Sequence, residues 1–143
     1  MPAPPLDQAR IRELIPHAGA MCLLERATFW DETRVRCQTS SHLDPGNPLR
    51  RDGVLRAAAG IEYAAQAMAL HGALLQASGP ARGGYLVSVR GVRCSVAALD
   101  TAGTPLEIEA ERLMGGGANV IYAFRLHAAG VELLSGRATV VLT

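Results

Sequence analysis

One run constrains the fold more than any other part of the chain: residues 54–77, VLRAAAGIEYAAQAMALHGALLQA, rich in Ala and Leu and closed by Ser78, Gly79 and Pro80. Its apolar residues fall on nearly every side, and a helix apolar all round must be buried. The flanking segments read as strands, so the partner that buries it is a sheet.

The strand candidates fall on both sides of that helix. Residues 21–30 and Arg34–Thr39 flank Asp31, Glu32 and Thr33 as a hairpin. Four more follow, at 85–96, Leu106–Met114, 119–127 and Val131–Leu142. Asp-Thr-Ala-Gly, Gly115-Gly116-Gly117 and Ala-Ala-Gly turns separate them, which predicts a meander of antiparallel strands rather than a phosphate-binding loop. Ahead of the hairpin, residues 6–15 place Ile11, Leu14 and Ile15 among charges, a short amphipathic strap ended by Pro16. Residues 40–53, with Pro45, Gly46, Asn47, Pro48 and Gly53, read as a long loop, and long loops in small domains are usually functional.

Strand and helix do not alternate as a parallel sheet requires. The fold class expected is α+β: an antiparallel sheet of about six strands wrapped around one long central helix, as a single domain over residues 1–143. Alternation in 118–126 and 107–113 predicts sheet edges that pairing with a second chain would blunt, so a dimer is expected.

Charge excludes more than it suggests. Fourteen cations against thirteen acidic residues give a formal +1, which supplies no basic stripe for nucleic acid. All the cations are Arg, which removes Schiff-base chemistry and lysine-dependent phosphate loops. Cys22, Cys37 and Cys94 are far apart and form no CxxC pair, so they read as buried reduced thiols. The start of the chain has prolines and charges where a signal peptide needs an apolar core, and no unbroken run of 18 apolar residues occurs. A cytoplasmic protein without a membrane partner is expected.

Chemistry centres on Glu62, the one carboxylate of the run, set among Ala58, Ala59, Ile61, Ala65 and Ala69. A carboxylate there must find a partner or keep its proton, and a carboxylic acid is what a general acid working near neutral pH must be. Gln66, four residues on, shares its helix face and could hold that carboxyl or a substrate oxygen. The alternative is that Glu62 reaches solvent at a sheet edge or ties down a loop. His42, at the mouth of the long loop, is the best candidate base; otherwise it is a surface histidine capping the Asp44-Pro45-Gly46 turn. His17 reads as a cap, and His71 and His127 as packing or surface residues; no pair of histidines has metal-site spacing. Gly53 and Gly60 could let a substrate carbonyl approach backbone N–H groups near the helix start, or could serve loop flexibility and close helix-to-sheet packing.

These residues resemble a known family. Ile15-Pro16-His17 followed by Met21-Cys22-Leu23-Leu24-Glu25-Arg26 resembles the "L-P-H-x-x-P-M-L-L-x-D-R" opening of the hotdog-fold 3-hydroxyacyl-[acyl-carrier-protein] dehydratases. Gly60-Ile61-Glu62-Tyr63-Ala64-Ala65-Gln66-Ala67-Met68-Ala69 is similar to their "I-E-x-x-A-Q" helix, and Ser135-Gly136-Arg137-Ala138-Thr139-Val140 to their last strand. The stretch Asn47-Pro48-Leu49-Arg50-Arg51-Asp52-Gly53 before the helix resembles a subgroup of predicted dehydratases that includes accessory dehydratases of aryl polyene clusters. The family's "G-H-F-P-G-x-P-x-M-P-G" loop is absent, and His42 stands twenty positions before Glu62, more than the family's spacing.

The resemblance implies a hotdog fold and a lyase that removes water from a 3-hydroxyacyl thioester, as in fatty-acid or polyketide-like synthesis. It implies Glu62 as acid and His42 as base, drawn from different protomers, with N–H groups near Gly53 or Gly60 holding the enolate oxygen. It implies no cofactor or metal. The substrate would arrive on the phosphopantetheine arm of an acyl carrier protein, whose acidic surface could meet Arg50, Arg51 and Arg56. Two other readings stand beside it: a non-catalytic partner in a heterodimer of hotdog chains, and an acyl thioesterase using Glu62 to position water.

Overall fold

The computed structural model describes residues 5–15, 19–76, 84–115 and 118–142. In chain order the elements are β1 (Leu6–Asp7), α1 (Gln8–Leu14), β2 (Arg26–Trp30), β3 (Arg34–Thr39), α2 (Gly60–Leu75), β4 (Gly84–Cys94), β5 (Leu106–Met114), β6 (Asn119–Ala128) and β7 (Val131–Leu142). The strands form one antiparallel sheet in the order β1-β2-β3-β5-β6-β7-β4, with α2 packed on β3, β5 and β6. This is the hotdog arrangement, with seven strands where about six were expected; the added one is the two-residue β1, too short to carry a pattern.

Alternation decides which side of each strand meets the helix. Cys37, Ile108, Leu126 and Leu134 stand in register across β3, β5, β6 and β7, and all four are buried. Each aliphatic member of that row contributes about 1.5–3 kcal/mol by leaving water. The neighbouring row faces out, where Glu109 receives Arg36 at 3.1 Å and Arg125 at 2.9 Å. Burial pushes the Cys37 thiol up to about 12, while Cys94, expected to be buried, is exposed near the end of the edge strand.

The central helix begins later than its composition suggests. Residues 54–56 are extended because their hydrogen bonds lie outside any helix: Val54 pairs with Arg51, Leu99 N–H donates to the Leu55 carbonyl at 2.8 Å, and Arg56 bridges to Ala98. Ala57 N–H, donating to Ala97, opens a tight turn over Ala57–Ala59, and α2 starts at Gly60. The burial is also one-sided. Gly60, Tyr63, Ala64, Ala67, Met68, Leu70 and His71 face the sheet, whereas Ile61, Ala65 and Ala69 are half-buried and Glu62 is exposed. Enclosure of the helix on all sides is therefore not what one chain provides. The helix stop expected at Ser78, Gly79 and Pro80 lies outside the described residues.

The connection at 97–99 also explains the strand order. It crosses the start of α2, so β4 pairs with β7 and not with β5, and the meander is limited to β5, β6 and β7. The strands expected to form edges, β5 and β6, are interior. The open edge is β4, where Leu86 and Val87 are exposed. At the opposite edge the strap lies as expected: Asp7 caps α1 by accepting from Arg10 N–H at 2.9 Å, and Ile11 is fully buried. Among the described residues no helix is long and apolar enough to cross a membrane.

Candidate active site

The segment expected to be a long loop, 40–53, is one, and it is tied at several points. Asp52 and Gly53 take φ of 52° and 76°, and Arg51 and Val54 exchange N–H bonds of 2.9 and 3.0 Å around them, the geometry of a tight Asp-Gly hairpin turn. Arg50 is the knot. Its guanidinium donates to the carbonyls of Asp44 (2.9 Å), Gly53 (2.8 Å) and His42 (3.0 Å) and to the Asp100 carboxylate (2.8 Å), with only 14% of its side chain exposed. Arg50 is thus not free to meet an acidic partner, as its place in a polar loop suggested; Arg51 and Arg56 remain exposed.

His42 is fully buried on a short turn over Ser41–Leu43, so it is not a surface cap. The turn it was expected to cap is closed instead by Asp44, whose carboxylate accepts from Gly46 N–H at 2.8 Å. His42 Nε2 lies 3.0 Å from the Ala102 carbonyl, while Nδ1 is buried without a hydrogen-bond partner. A carbonyl only accepts, so Nε2 carries the proton and Nδ1 the free lone pair. Burial lowers the pKa of His42, against the upward pull of the Ala102 and Thr104 carbonyls and of the Asp100 and Glu25 charges. Burial thus favours the neutral ring, and the Ala102 carbonyl favours the tautomer protonated at Nε2.

A second network joins this turn to α2. Asn47 donates to Tyr63 Oη at 2.9 Å; Tyr63 lies 2.9 Å from Ser41 Oγ, which donates onward to the Leu23 carbonyl at 2.7 Å. Since Ser41 spends its proton on Leu23, the Tyr63 hydroxyl donates to Ser41. Burial raises the Tyr63 pKa and keeps it a neutral donor. Gln66, expected to reach the Glu62 carboxyl or a substrate oxygen, is committed elsewhere: its amide oxygen accepts from Leu23 N–H at 2.9 Å and its amide nitrogen donates to the Met21 carbonyl. It holds the 21–23 segment on the helix. Tyr63, Asn47, Arg50 and Asp100 were not singled out in sequence as parts of this arrangement, because the contacts that join them across the fold, Asn47 to Tyr63 and Arg50 to Asp100, span 16 and 50 residues. The one available signal was Tyr63 itself, a polar group on the buried face of an apolar helix.

The glycines divide. Gly60 packs against the sheet so closely that a Cβ would come within 2.5 Å of Leu134 Cδ2, and its N–H is already bonded to the Ala57 and Ala58 carbonyls. That excludes it as a donor to a substrate oxyanion. Gly53 is exposed at its hairpin tip. Glu62 makes no hydrogen bond or ion pair with a described residue, and none of the described residues joins it to His42; the apolar enclosure expected around it is replaced by solvent. His71 is buried, linking Tyr122 Oη (2.7 Å) and the Asp31 carbonyl (2.8 Å), and His127 Nδ1 sits 3.4 Å from Glu107. His17, Gly116 and Gly117 lie outside the described residues. A groove of about 470 Å³ runs beside the network, lined by Gln8, Arg12, Cys22, Glu25, Ser41 and Asn47 among others. Among the described residues no three His, Cys, Asp or Glu side chains converge as metal ligands do.

The sequence profile of the ApeP-like family, described as ApeP dehydratase, matches residues 9–143. No protein of curated function is matched. Among solved structures, the dehydratase heterocomplex ApeI:P from Xenorhabdus doucetiae is 25% identical, with a TM-score of 0.80 over 96% of this chain and 91% of that one. A mutant thioesterase from Pseudomonas aeruginosa (15% identity, TM-score 0.58, 82% and 80% covered) shares the fold. So does a hypothetical thioesterase with coenzyme A from Streptococcus pneumoniae (15% identity, TM-score 0.61, 82% and 84% covered).

Proposed function

The chain belongs to the ApeP-like dehydratase family, and from that premise we propose that it removes water from a 3-hydroxyacyl thioester carried on the phosphopantetheine arm of an acyl carrier protein. The observation that carries this reading is the His42 ring: buried, with Nε2 on the Ala102 carbonyl, which leaves the lone pair of the neutral ring on Nδ1. Such a nitrogen can take the acidic proton from C2 of a thioester. As the C2–H electrons form the C2–C3 double bond, the C3–O bond breaks, and Glu62 supplies the proton with which the hydroxyl leaves as water. The product is the trans-2-enoyl thioester. Of the two glycines, Gly53 is the one whose N–H remains open to the enolate oxygen, since that of Gly60 is spent within the chain.

Acid and base are not in contact within one chain, so the reading requires a second hotdog chain that brings a glutamate or a histidine to the other's site. Exposed Glu62, the open β4 edge and the likeness to a dehydratase heterocomplex support that requirement. A second reading, a non-catalytic partner in such a heterocomplex, is favoured by the lack of an oxyanion donor at Gly60.

Incubation of a short 3-hydroxyacyl carrier protein with the native chain, Glu62→Gln and His42→Ala, followed by mass spectrometry, tests the proposal. Loss of one water with the native chain alone supports it. An inert native chain that gains activity only with a co-purifying hotdog chain, and equally so as His42→Ala, establishes the partner reading instead.

A further inference from the structure

Arg50 and His42 belong to one closed ring of interactions. The His42 ring donates from Nε2 to the Ala102 carbonyl; two residues before Ala102, Asp100 receives the Arg50 guanidinium; and Arg50 returns to the His42 carbonyl. The same guanidinium fixes the Asp44 and Gly53 carbonyls, so the two segments that carry the histidine and its acceptor are held by one side chain. The acceptor segment has its own anchors, Ala102 N–H to Leu99 and Leu99 N–H to Leu55. The ion pair is largely shielded, with 14% and 19% of the two side chains exposed, and its geometry is charge-assisted.

From this geometry we infer that Arg50 is a positioning residue for the reaction: it keeps the Ala102 carbonyl opposite His42 Nε2 and thereby holds the lone pair on Nδ1. This rests on His42 being the base. Without the guanidinium, the 40–53 and 97–102 segments lose their shared tie, the carbonyl no longer selects one tautomer, and a fraction of molecules present a protonated Nδ1 that cannot accept the C2 proton. Lys cannot replace Arg here, because an ammonium offers three donors from a single nitrogen and cannot span four acceptors set apart in space.

The test uses ¹⁵N-labelled histidine and long-range ¹H–¹⁵N spectra, which distinguish protonated from bare ring nitrogens, with His42→Gln assigning the signal. In the native chain His42 should show a protonated Nε2 and a bare Nδ1. In Arg50→Met, and in the milder Asp100→Asn, the ring signals should shift toward a mixture of tautomers. In dehydration assays kcat should fall at least about tenfold, part of what a general base contributes, with KM within about twofold. A His42 ring still protonated at Nε2 alone in both folded variants overturns the inference, as does an unchanged kcat beside an inactive His42→Ala. A native kcat in His42→Ala overturns the base assignment itself, which the spectra of the Arg50 variant separate from the behaviour of Arg50.

Discussion

His42 Nε2 lies 3.0 Å from the carbonyl oxygen of Ala102, sixty residues further along the chain, and an acceptor there calls for the ring proton on Nε2. The His42 ring is fully buried, as is that of His71, which is held by Tyr122 Oη and the Asp31 carbonyl.

Both histidines have pKa values lowered from 6.5, chiefly by burial. In the unfolded chain they take up protons as pH falls through about 6.5, while the folded chain resists, so protonation stabilises the unfolded state first. Stability should therefore be full above that pH and decline below it. Urea titrations between pH 8 and 5 should show the midpoint falling on the acid side, and His71→Gln should flatten the decline. A midpoint that rises toward pH 5 contradicts the burial of these rings as neutral groups.

Gln66 fastens the 21–23 segment to α2 through both ends of its amide. Gln66→Leu keeps the volume and strands the Leu23 N–H, a buried donor; the cost should be about 1–3 kcal/mol in chemical denaturation. If Gln66 instead held substrate, the same variant would keep its stability and raise KM.

Gly60→Ala sets a gain in helix propensity of about 1 kcal/mol against a Cβ pressed on Leu134 and Leu126, both buried. Overpacking of a filled core costs about 1–3 kcal/mol, so the variant should be less stable than the native chain by denaturant midpoint. Gly53→Ala is strained through its φ of 76° alone and should leave the core untouched, with unchanged near-ultraviolet dichroism.

Much of the architecture was legible because alternation is a local signal: Leu106, Ile108 and Ala110 face inward and Glu107, Glu109 and Glu111 outward along β5 as the pattern requires. The start of α2 was not, since Val54 and Leu55 suit a helix and are held extended by Arg51 and by residues 97–99. The place of β4 beside β7 was hidden for the same reason. At the site, Glu62 and His42 could be singled out by type and position. The burial of His42 could not, because it lies among Ser, Asp, Pro and Gly and depends on Ala102. Arg50 looked like a solvated cation, and only the fold shows four acceptors converging on it.

The central claim, that this chain carries a working base for dehydration, is tested most directly by turnover of a 3-hydroxyacyl carrier protein, read by mass spectrometry, with native chain and His42→Ala each supplied with any hotdog chain that co-purifies. The native chain should yield the enoyl thioester, and His42→Ala, still folded, should lose about 10²–10⁴-fold in rate, the usual contribution of a general base. Equal turnover by both would contradict it.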